Sequence, residues 1–382
     1  MKLIPLICAL LAAGACEAWA AVPQPVALDA AHRQTALKLI DGGIAYLLTQ
    51  RDASGGWSLG HGANRPAMTA MAMKILLQRG RGFDDPVVKQ GFDALLGYRQ
   101  ADGGIYDPPQ GYSAYTTALA VMAMAAADHP SLAQPMRQAV AYLRGIQIAP
   151  GSESPDGKAV GPDDPRVGGV SYGKTGQPNL SVLSFWADAM HDAGVSGDDP
   201  AMQRAAAFLT RLQNRSESNA QLWARDGDSD GGFVYALDES KAGKGVGGRG
   251  LRSYGSMTYS GFKSLLYANV SREDPRVQAA YQWICAYWRL DSNPNMPDKQ
   301  SLEGLYYYYQ VYAKALRAWG RPVITDRQGR DRNWRHELID ALAQRVRPDG
   351  SWVNDGASRW EEGNPVLATA FALLALQETL RD

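Results

Sequence analysis

The chain has 382 residues, 45% of them hydrophobic and 20% charged, which excludes a disordered or low-complexity protein. Lys+Arg and Asp+Glu both total 39, so net charge gives no argument for a nucleic acid or an anionic membrane as partner. Tyr (18) and Trp (10) outnumber Phe (7), a skew towards rings with a polar handle that suits a wet cleft as well as a core.

The first element reads as an export signal. Lys2 precedes an apolar run over residues 3–13, and Ala18-Trp19-Ala20 fits the small-x-small cleavage rule. The run is too short for a permanent membrane anchor. The expected division is a signal peptide at 1–20 and one mature domain at 21–382, secreted or periplasmic. A lipoprotein ending at Cys16 is the competing reading, with Ala13-Gly14-Ala15 as a poor lipobox. Cleavage after Ala20 removes Cys8 and Cys16 and leaves Cys285 alone, so packing rather than an internal disulfide must hold the chain together. No second long apolar segment follows, and the sequence leaves the oligomeric state open.

Helical periodicity then recurs to the end, and strand-type alternation persists nowhere. One class of segment is amphipathic and tends to end near Gln: 34–50, 86–100, 132–147, 200–213, 275–288 and 334–345. Three of these open on Asp84-Asp85-Pro86, Asp198-Asp199-Pro200 and Glu273-Asp274-Pro275. An acid ahead of Pro in the first turn is a helix N-terminus, so these acids are caps, not catalysts. The second class is apolar on most faces: 67–78, 114–127, 180–193, 257–269, 302–319 and 366–380. Such helices must be surrounded by protein. Six of each, alternating, predict an all-α protein of the α6/α6 toroid class, with the amphipathic helices forming the outer ring. The links from outer to inner helix are the long ones (51–66, 101–113, 148–179, 214–256, 291–301, 346–365), and in such a ring they share one face. A functional site is expected where these loops meet the inner-helix starts.

The long links begin alike: Gly55-Gly56-Trp57, Gly103-Gly104-Ile105, Gly168-Gly169-Val170, Gly231-Gly232-Phe233 and Gly350-Ser351-Trp352, with only "DSNPNM" in the fifth departing. Gln at a helix end followed by Gly-x-aromatic resembles the repeat of the squalene cyclase and protein prenyltransferase superfamily. The inner-helix starts "AMTAMAMKILL", "AYTTALAVMAM" and "NPVLATAFALLAL" are similar to its second helix. The stretches "SYGSMTYSGFKSLLYANV" and "GLYYYYQVYAKALRAWG" resemble exported single-toroid bacterial members. The likeness covers most of residues 31–380. It implies the toroid, with Gln capping neighbouring helix ends, and is specific for fold rather than reaction.

The resemblance also sets what chemistry to look for. Squalene-type cyclases protonate an alkene with Asp-x-Asp-Asp; Asp226-Gly-Asp228-Ser-Asp230 is the nearest string here, in a loop where its acids would be solvated. Prenyltransferase zinc needs Asp, Cys and His, but Cys285 falls on an outer helix and His32, His61, His129, His191 and His336 lie in different repeats, so no metal is expected. The thioester run of complement-type toroids is absent. Asp226, Asp228 and Asp230 match the first half of a calcium loop, but Leu237 stands at the twelfth position where an EF-hand needs Glu. A non-EF calcium loop there is the one cofactor reading left, and Asp230-Gly231-Gly232-Phe233 is otherwise a turn. "GKGVGGRG" lacks the Walker spacing and reads, with Lys241, Lys244, Arg249 and Arg252, as a basic flap.

The candidate catalytic residues are therefore Asp226, Asp228, Glu303 and Glu361, Glu362 being grouped with the last two as helix-start acids. The candidate ligand-binding residues are Trp57, His61, Tyr112, Tyr115, Tyr172, Tyr254, Tyr259, Tyr306, Tyr307 and Trp360. At about 100° per residue, one or two of Tyr306 to Tyr309 must face the cavity. Thr69, Thr117, Ser181, Thr258 and Thr369 recur at inner-helix starts, facing either the cavity or their own helix carbonyls. Aromatic faces stabilise carbocations, stack on sugars and sandwich lipids alike. The leading reading is an exported terpene-cyclase-like toroid that binds an isoprenoid or other hydrophobic ligand, either as a divergent cyclase or mutase that cyclises or isomerises it or as a carrier. The alternatives are a carbohydrate-active lyase or hydrolase acting on a polysaccharide, and a non-catalytic scaffold.

Overall fold

A computed structural model describes residues 28–153, 158–173 and 176–381. The signal-peptide reading and Cys16 fall on residues 1–27, outside the described residues. The helices follow in hairpins: α1 (Ala30–Thr49) and α2 (Arg65–Gln78), α3 (Pro86–Leu96) and α4 (Ser113–Ala127), α5 (Ala133–Gly145) and α6 (Leu180–Asp192). Next come α7 (Pro200–Thr210), a single turn α8 (Leu222–Arg225) and α9 (Gly255–Tyr267). The last hairpins are α10 (Pro275–Ala286) with α11 (Leu305–Trp319) and α12 (Trp334–Ala343) with α13 (Pro365–Thr379). Each inner helix packs on the next, and α13 packs back on α2, closing a ring of six. Asn364 Nδ2 donates to Leu59 O at 2.9 Å and Gln377 Nε2 to Ile75 O at 2.8 Å across that closure. The fold is an α6/α6 toroid. Among the described residues no helix is long and apolar enough to cross a membrane.

Local chemistry explains the helix starts. Asp85, Asp199 and Asp274 each accept a hydrogen bond from the backbone N–H two residues on, with Pro in the first turn, so the acid next to each Pro is the cap, while Asp84, Asp198 and Glu273 stand one residue outside the helix. The structure adds one feature that the periodicity did not reveal: β1 (Val323–Thr325) pairs antiparallel with β2 (Asp331–Asn333) just before α12. Three residues per strand are too few for an alternation to register.

The turns bolt the two rings together. The first glycine of each turn has positive φ, and a Cβ on Gly168 or Gly231 would lie 1.9 or 2.6 Å from a carbonyl oxygen of the following outer helix. Gln147 Nε2 donates to Gly168 O and Ala201 O, and Gln213 Nε2 to Gly231 O and Arg276 O, so each ties its own turn to the start of the next outer helix. The inner-helix threonines complete the joint instead of facing the cavity. Thr69, Thr117, Thr258 and Thr369 each accept the buried N–H of a turn residue: Trp57, Ile105, Phe233 and Trp352. An N–H buried at such a turn must find an acceptor, and the threonine hydroxyl is the one in reach.

The inner helices are less uniformly apolar than their sequences suggest. At the end of the ring opposite the long loops, fully buried Asp188 lies between Lys263 Nζ and Lys314 Nζ, the latter at 2.7 Å. Lys74 pairs with Asp192 at 2.5 Å, and Arg317 with Glu378. Burial alone would push Asp188 up, but the two ammonium groups hold it below the usual carboxylate range.

Candidate functional site

The long loops and the inner-helix starts enclose a cavity of about 450 Å³. Nine of its 21 lining residues are aromatic and three are charged, so apolar contact dominates the space. Six rings form a continuous belt. Tyr112 and Tyr115 each meet Tyr172 edge-on, Tyr115 meets Phe185 at 4.8 Å, Phe185 stacks on Tyr307 at 5.7 Å, and Tyr307 meets Phe371 at 5.9 Å. Helices α4, α6, α11 and α13 thus each contribute ring faces around one axis, in the offset and edge-to-face arrangements that aromatic quadrupoles prefer.

Two of the belt's four tyrosine hydroxyls find serine partners at its margin. Tyr172 Oη donates to Ser181 Oγ at 2.9 Å, and Tyr307 Oη lies 3.2 Å from Ser260 Oγ. Burial pushes the phenols of Tyr115, Tyr172, Tyr254 and Tyr307 upward, so all four stay neutral. From the loop before α9, Tyr235 and Lys241 close the wall. Lys241 Nζ sits 4.3 Å from the Tyr235 ring centroid and pairs with Glu239, placing the one lining cation at a cation–π contact.

The acidic wall is Trp360-Glu361-Glu362. Trp360 and Glu361 hold successive positive φ values of 56° and 65°, a strained backbone for residues with side chains. The Trp360 ring lies over Gly304, where an added Cβ would be 3.0 Å away. The Arg359 guanidinium lies over the same ring at 4.7 Å and donates to Glu303 at 2.8 Å. Behind this ledge Glu362 is buried, with 1% of its surface exposed. Its Oε1 accepts the Tyr307 N–H and its Oε2 an Asn354 Nδ2–H, both at 2.8 Å. Burial raises its carboxyl to about 7 against those hydrogen bonds, which favour the charged form.

Of the residues singled out from sequence, Glu361, Tyr112, Tyr115, Tyr172, Tyr254, Tyr307 and Trp360 line this cavity. Glu303 lies outside the lining, held by Arg359. Trp57 is buried in its turn and donates to Leu47 O. His61 lines an adjoining hollow with Asp107 and Gln110, which shares Asn64 and Tyr112 with the cavity but does not bring His61 into its lining. Tyr259 packs on Tyr308 and Tyr312, and Tyr306 Oη donates to Val353 O; neither lines the cavity. Of the four consecutive tyrosines, only Tyr307 does.

Asp226 and Asp228 are exposed and outside the lining. Asp228 accepts the Val246 N–H at 3.2 Å. Asp230 turns the other way, accepting from Gly232 N–H at 3.0 Å, Trp283 Nε1–H at 3.1 Å and the Ser253 hydroxyl, and burial raises its pKa. These three carboxylates do not converge on one point. The lining residues that the sequence reading left out of its candidate site include Glu362, Phe185, Phe371, Tyr235 and Lys241. A signal existed for Phe185 and Phe371: each falls one helical turn inside an inner-helix start, on the face of Ser181 and Leu367.

No protein-family model matches the chain, and no curated protein sequence does either. Solved structures do. The type II terpene cyclase MstE from Scytonema, seen with geranylgeranyl dihydroxybenzoate as substrate, aligns at a TM-score of 0.57 and 15% identity over 92% of this chain and 99% of its own. A D-mannose isomerase aligns at 0.56 and 12% identity, over 93% and 99% of the two chains. A glycosidase aligns at 0.50 and 14%, over 92% and 99%. At such identities the likeness is one of fold: this chain shares its α/α toroid with enzymes of both terpenoid and carbohydrate chemistry.

Proposed function

We propose that this chain is an exported, terpene-cyclase-like toroid that binds an isoprenoid-class hydrophobic ligand in the mouth cavity and isomerises or cyclises it by proton transfer from Glu362. The observation that carries the reading is the six-ring belt beside one buried carboxyl whose pKa lies at about 7. An acid tuned near ambient pH is half protonated there and serves as a general acid. It is a poor acid for an isolated alkene, so the ligand carries a more basic group, such as an epoxide or allylic oxygen. Glu362 gives its proton to that oxygen, and the C–O bond breaks. The aromatic faces stabilise the resulting cation, and the carboxylate recovers a proton when the cation collapses to an alkene. The solved terpene cyclase with its geranylgeranyl substrate supports the ligand class by fold analogy.

The carbohydrate reading has one observation in its favour, the glycosidase and mannose isomerase likenesses. Against it, both lining carboxylates, Glu361 and Glu362, come from one wall, whereas glycoside hydrolysis sets two carboxyls on opposite sides of a bond. Mass spectrometry of small molecules that co-purify with the protein, paired with a geranylgeraniol titration read by tryptophan fluorescence in the parent and in Trp360→Phe, tests the proposal. A prenyl-type ligand and saturable quenching are expected. A bound sugar with no response to geranylgeraniol would replace this reading by the carbohydrate one, and an empty, unresponsive protein would leave a scaffold.

A further inference from the structure

The histidines stand in different repeats of the sequence, but closing the ring brings two of them together. His32 is in the first turn of α1 and His336 in the first turn of α12, and these two outer helices pack where the chain's ends meet. Their imidazoles lie face to face, centroids 3.9 Å apart and planes within 2°. Asp29, the cap of α1, places Oδ2 at 2.9 Å from His32 Nδ1 and 3.7 Å from His336 Nε2. Among the described residues this is the one set of three metal-ligating side chains whose donor atoms all fall within 4.8 Å of one another. All three are partly buried, so the set is held by the helix joint yet open to solvent. On the far edge of the His32 ring, Nε2 lies 3.6 Å from Asp340 Oδ1.

We infer that Asp29, His32 and His336 form a binding site for a divalent transition ion of the zinc class, which staples the first outer helix to the last. Two imidazole nitrogens and one carboxylate oxygen suit zinc, not calcium or magnesium, and leave a fourth position to water. With His32 bound through Nδ1, its Nε2 faces Asp340 at 3.6 Å, and a small approach of that carboxylate on loading would complete the carboxylate–histidine–metal arrangement that fixes a ligand's tautomer. Asp29, the cap of α1, and Asp340, in the last turn of α12, together supply two negative charges near the ion.

Loading has a structural consequence. Two parallel ring planes cannot both contain one ion, so one imidazole must leave the stack. His336 is the one to move: its Nε2 now accepts the Asp29 N–H at 3.2 Å, a bond the ion replaces. The cost is one stack and one hydrogen bond, which makes this a site of moderate affinity that loads after folding. What the fold gains is a coordination link between residues 307 apart in sequence.

The test is zinc chloride titrated by calorimetry into the purified, chelator-treated protein, with the melting temperature followed in parallel. One ion per chain, a raised melting temperature and reversal by EDTA are expected, and His32→Ala and His336→Ala should each abolish uptake. Because either change loosens the joint, Asp340→Asn is the control: it touches no ion, should melt like the parent in chelator, and should weaken zinc about tenfold. Cobalt chloride should give the visible bands of a nitrogen-ligated, low-coordinate ion. Absence of zinc uptake, or uptake that persists in the His32→Ala/His336→Ala double variant, would overturn the assignment.

Discussion

The two ends of the inner ring are built from opposite materials on the same six helices. At the mouth, α6, α9 and α11 present Phe185, Met257 and Tyr307; one to two turns deeper the same helices present Asp188, Lys263 and Lys314. The mouth leaves about 450 Å³ open, walled mostly by aromatic rings. The base pairs its charges directly, Asp188 with two lysines, Lys74 with Asp192 and Arg317 with Glu378. A ring of hairpins has an axis to fill, and this one fills one end with paired charge and leaves a cavity at the other. Buried pairs often add little net stability over apolar packing, but they tolerate no loss of one partner. The base is therefore where substitution should hurt folding, and the mouth where it should alter binding.

The largest effect should come from Asp188→Asn. It keeps an acceptor but strips the carboxylate that pairs directly with both Lys263 and Lys314, which are buried. Denaturant unfolding should show a loss of about 3–5 kcal/mol, while whatever folded protein remains keeps its affinity for ligand. A loss under 1 kcal/mol would mean that water or a counter-ion serves the base, and the contrast between the ends would collapse.

Glu362→Gln probes the one mouth residue that is buried like a base residue without a cationic partner. Its folded pKa of about 7 stands above the ordinary 4.5, so the stability it contributes is full below pH 4.5 and is lost as pH rises through 7. The full shift corresponds to ~3 kcal/mol, an upper bound on the gain. The glutamine variant should thus match the parent at pH 4 and melt higher at pH 8, while losing any proton-transfer activity at every pH. Equal melting of parent and variant at both pH values would show that Glu362 is solvated or paired, and would remove it as the acid.

Thr369→Val tests the seam between the rings. The change is nearly isosteric but leaves the buried Trp352 N–H, now 2.9 Å from Thr369 Oγ1, without an acceptor. A loss of about 1–3 kcal/mol is expected by thermal or chemical unfolding, with ligand binding intact. The same substitution at Thr69, which accepts from Trp57, should match it if the repeats are equivalent joints.

What could be read from the sequence follows the range of the interaction that fixes it. Caps such as Asp85 and Asp199 act within two residues, and the Gly-Gly-aromatic turns recur at a period, so the twelve ring helices and their order were legible. Of Tyr306 to Tyr309, rotation along the helix fixed that one would face inward but not which. The base was hidden because Asp188, Lys263 and Lys314 come from three repeats and look, each alone, like a polar interruption of an apolar helix. Glu362 was hidden for a related reason. Beside Glu361 it looks like one more helix-start acid, and only the left-handed backbone at Trp360 and Glu361 turns it inward under Asn354.

Asp228→Asn should have the smallest effect and so sharpens the contrast from the other side. Three alternating aspartates draw the eye in the sequence, but Asp228 is exposed, lies outside the cavity lining, and holds only the Val246 N–H. Asparagine keeps that acceptor. Unfolding free energy should stay within about 0.5 kcal/mol, the range for surface changes away from special features. Ligand retention should be unchanged, and added calcium should move neither. Loss of ligand or activity in this variant would mean that the loop from 214 to 256 folds over the mouth in the working state, carrying its carboxylates with it. The same outcome would shift the acid from a buried wall to a mobile flap, because a solvated carboxylate becomes a proton donor only when something dehydrates it.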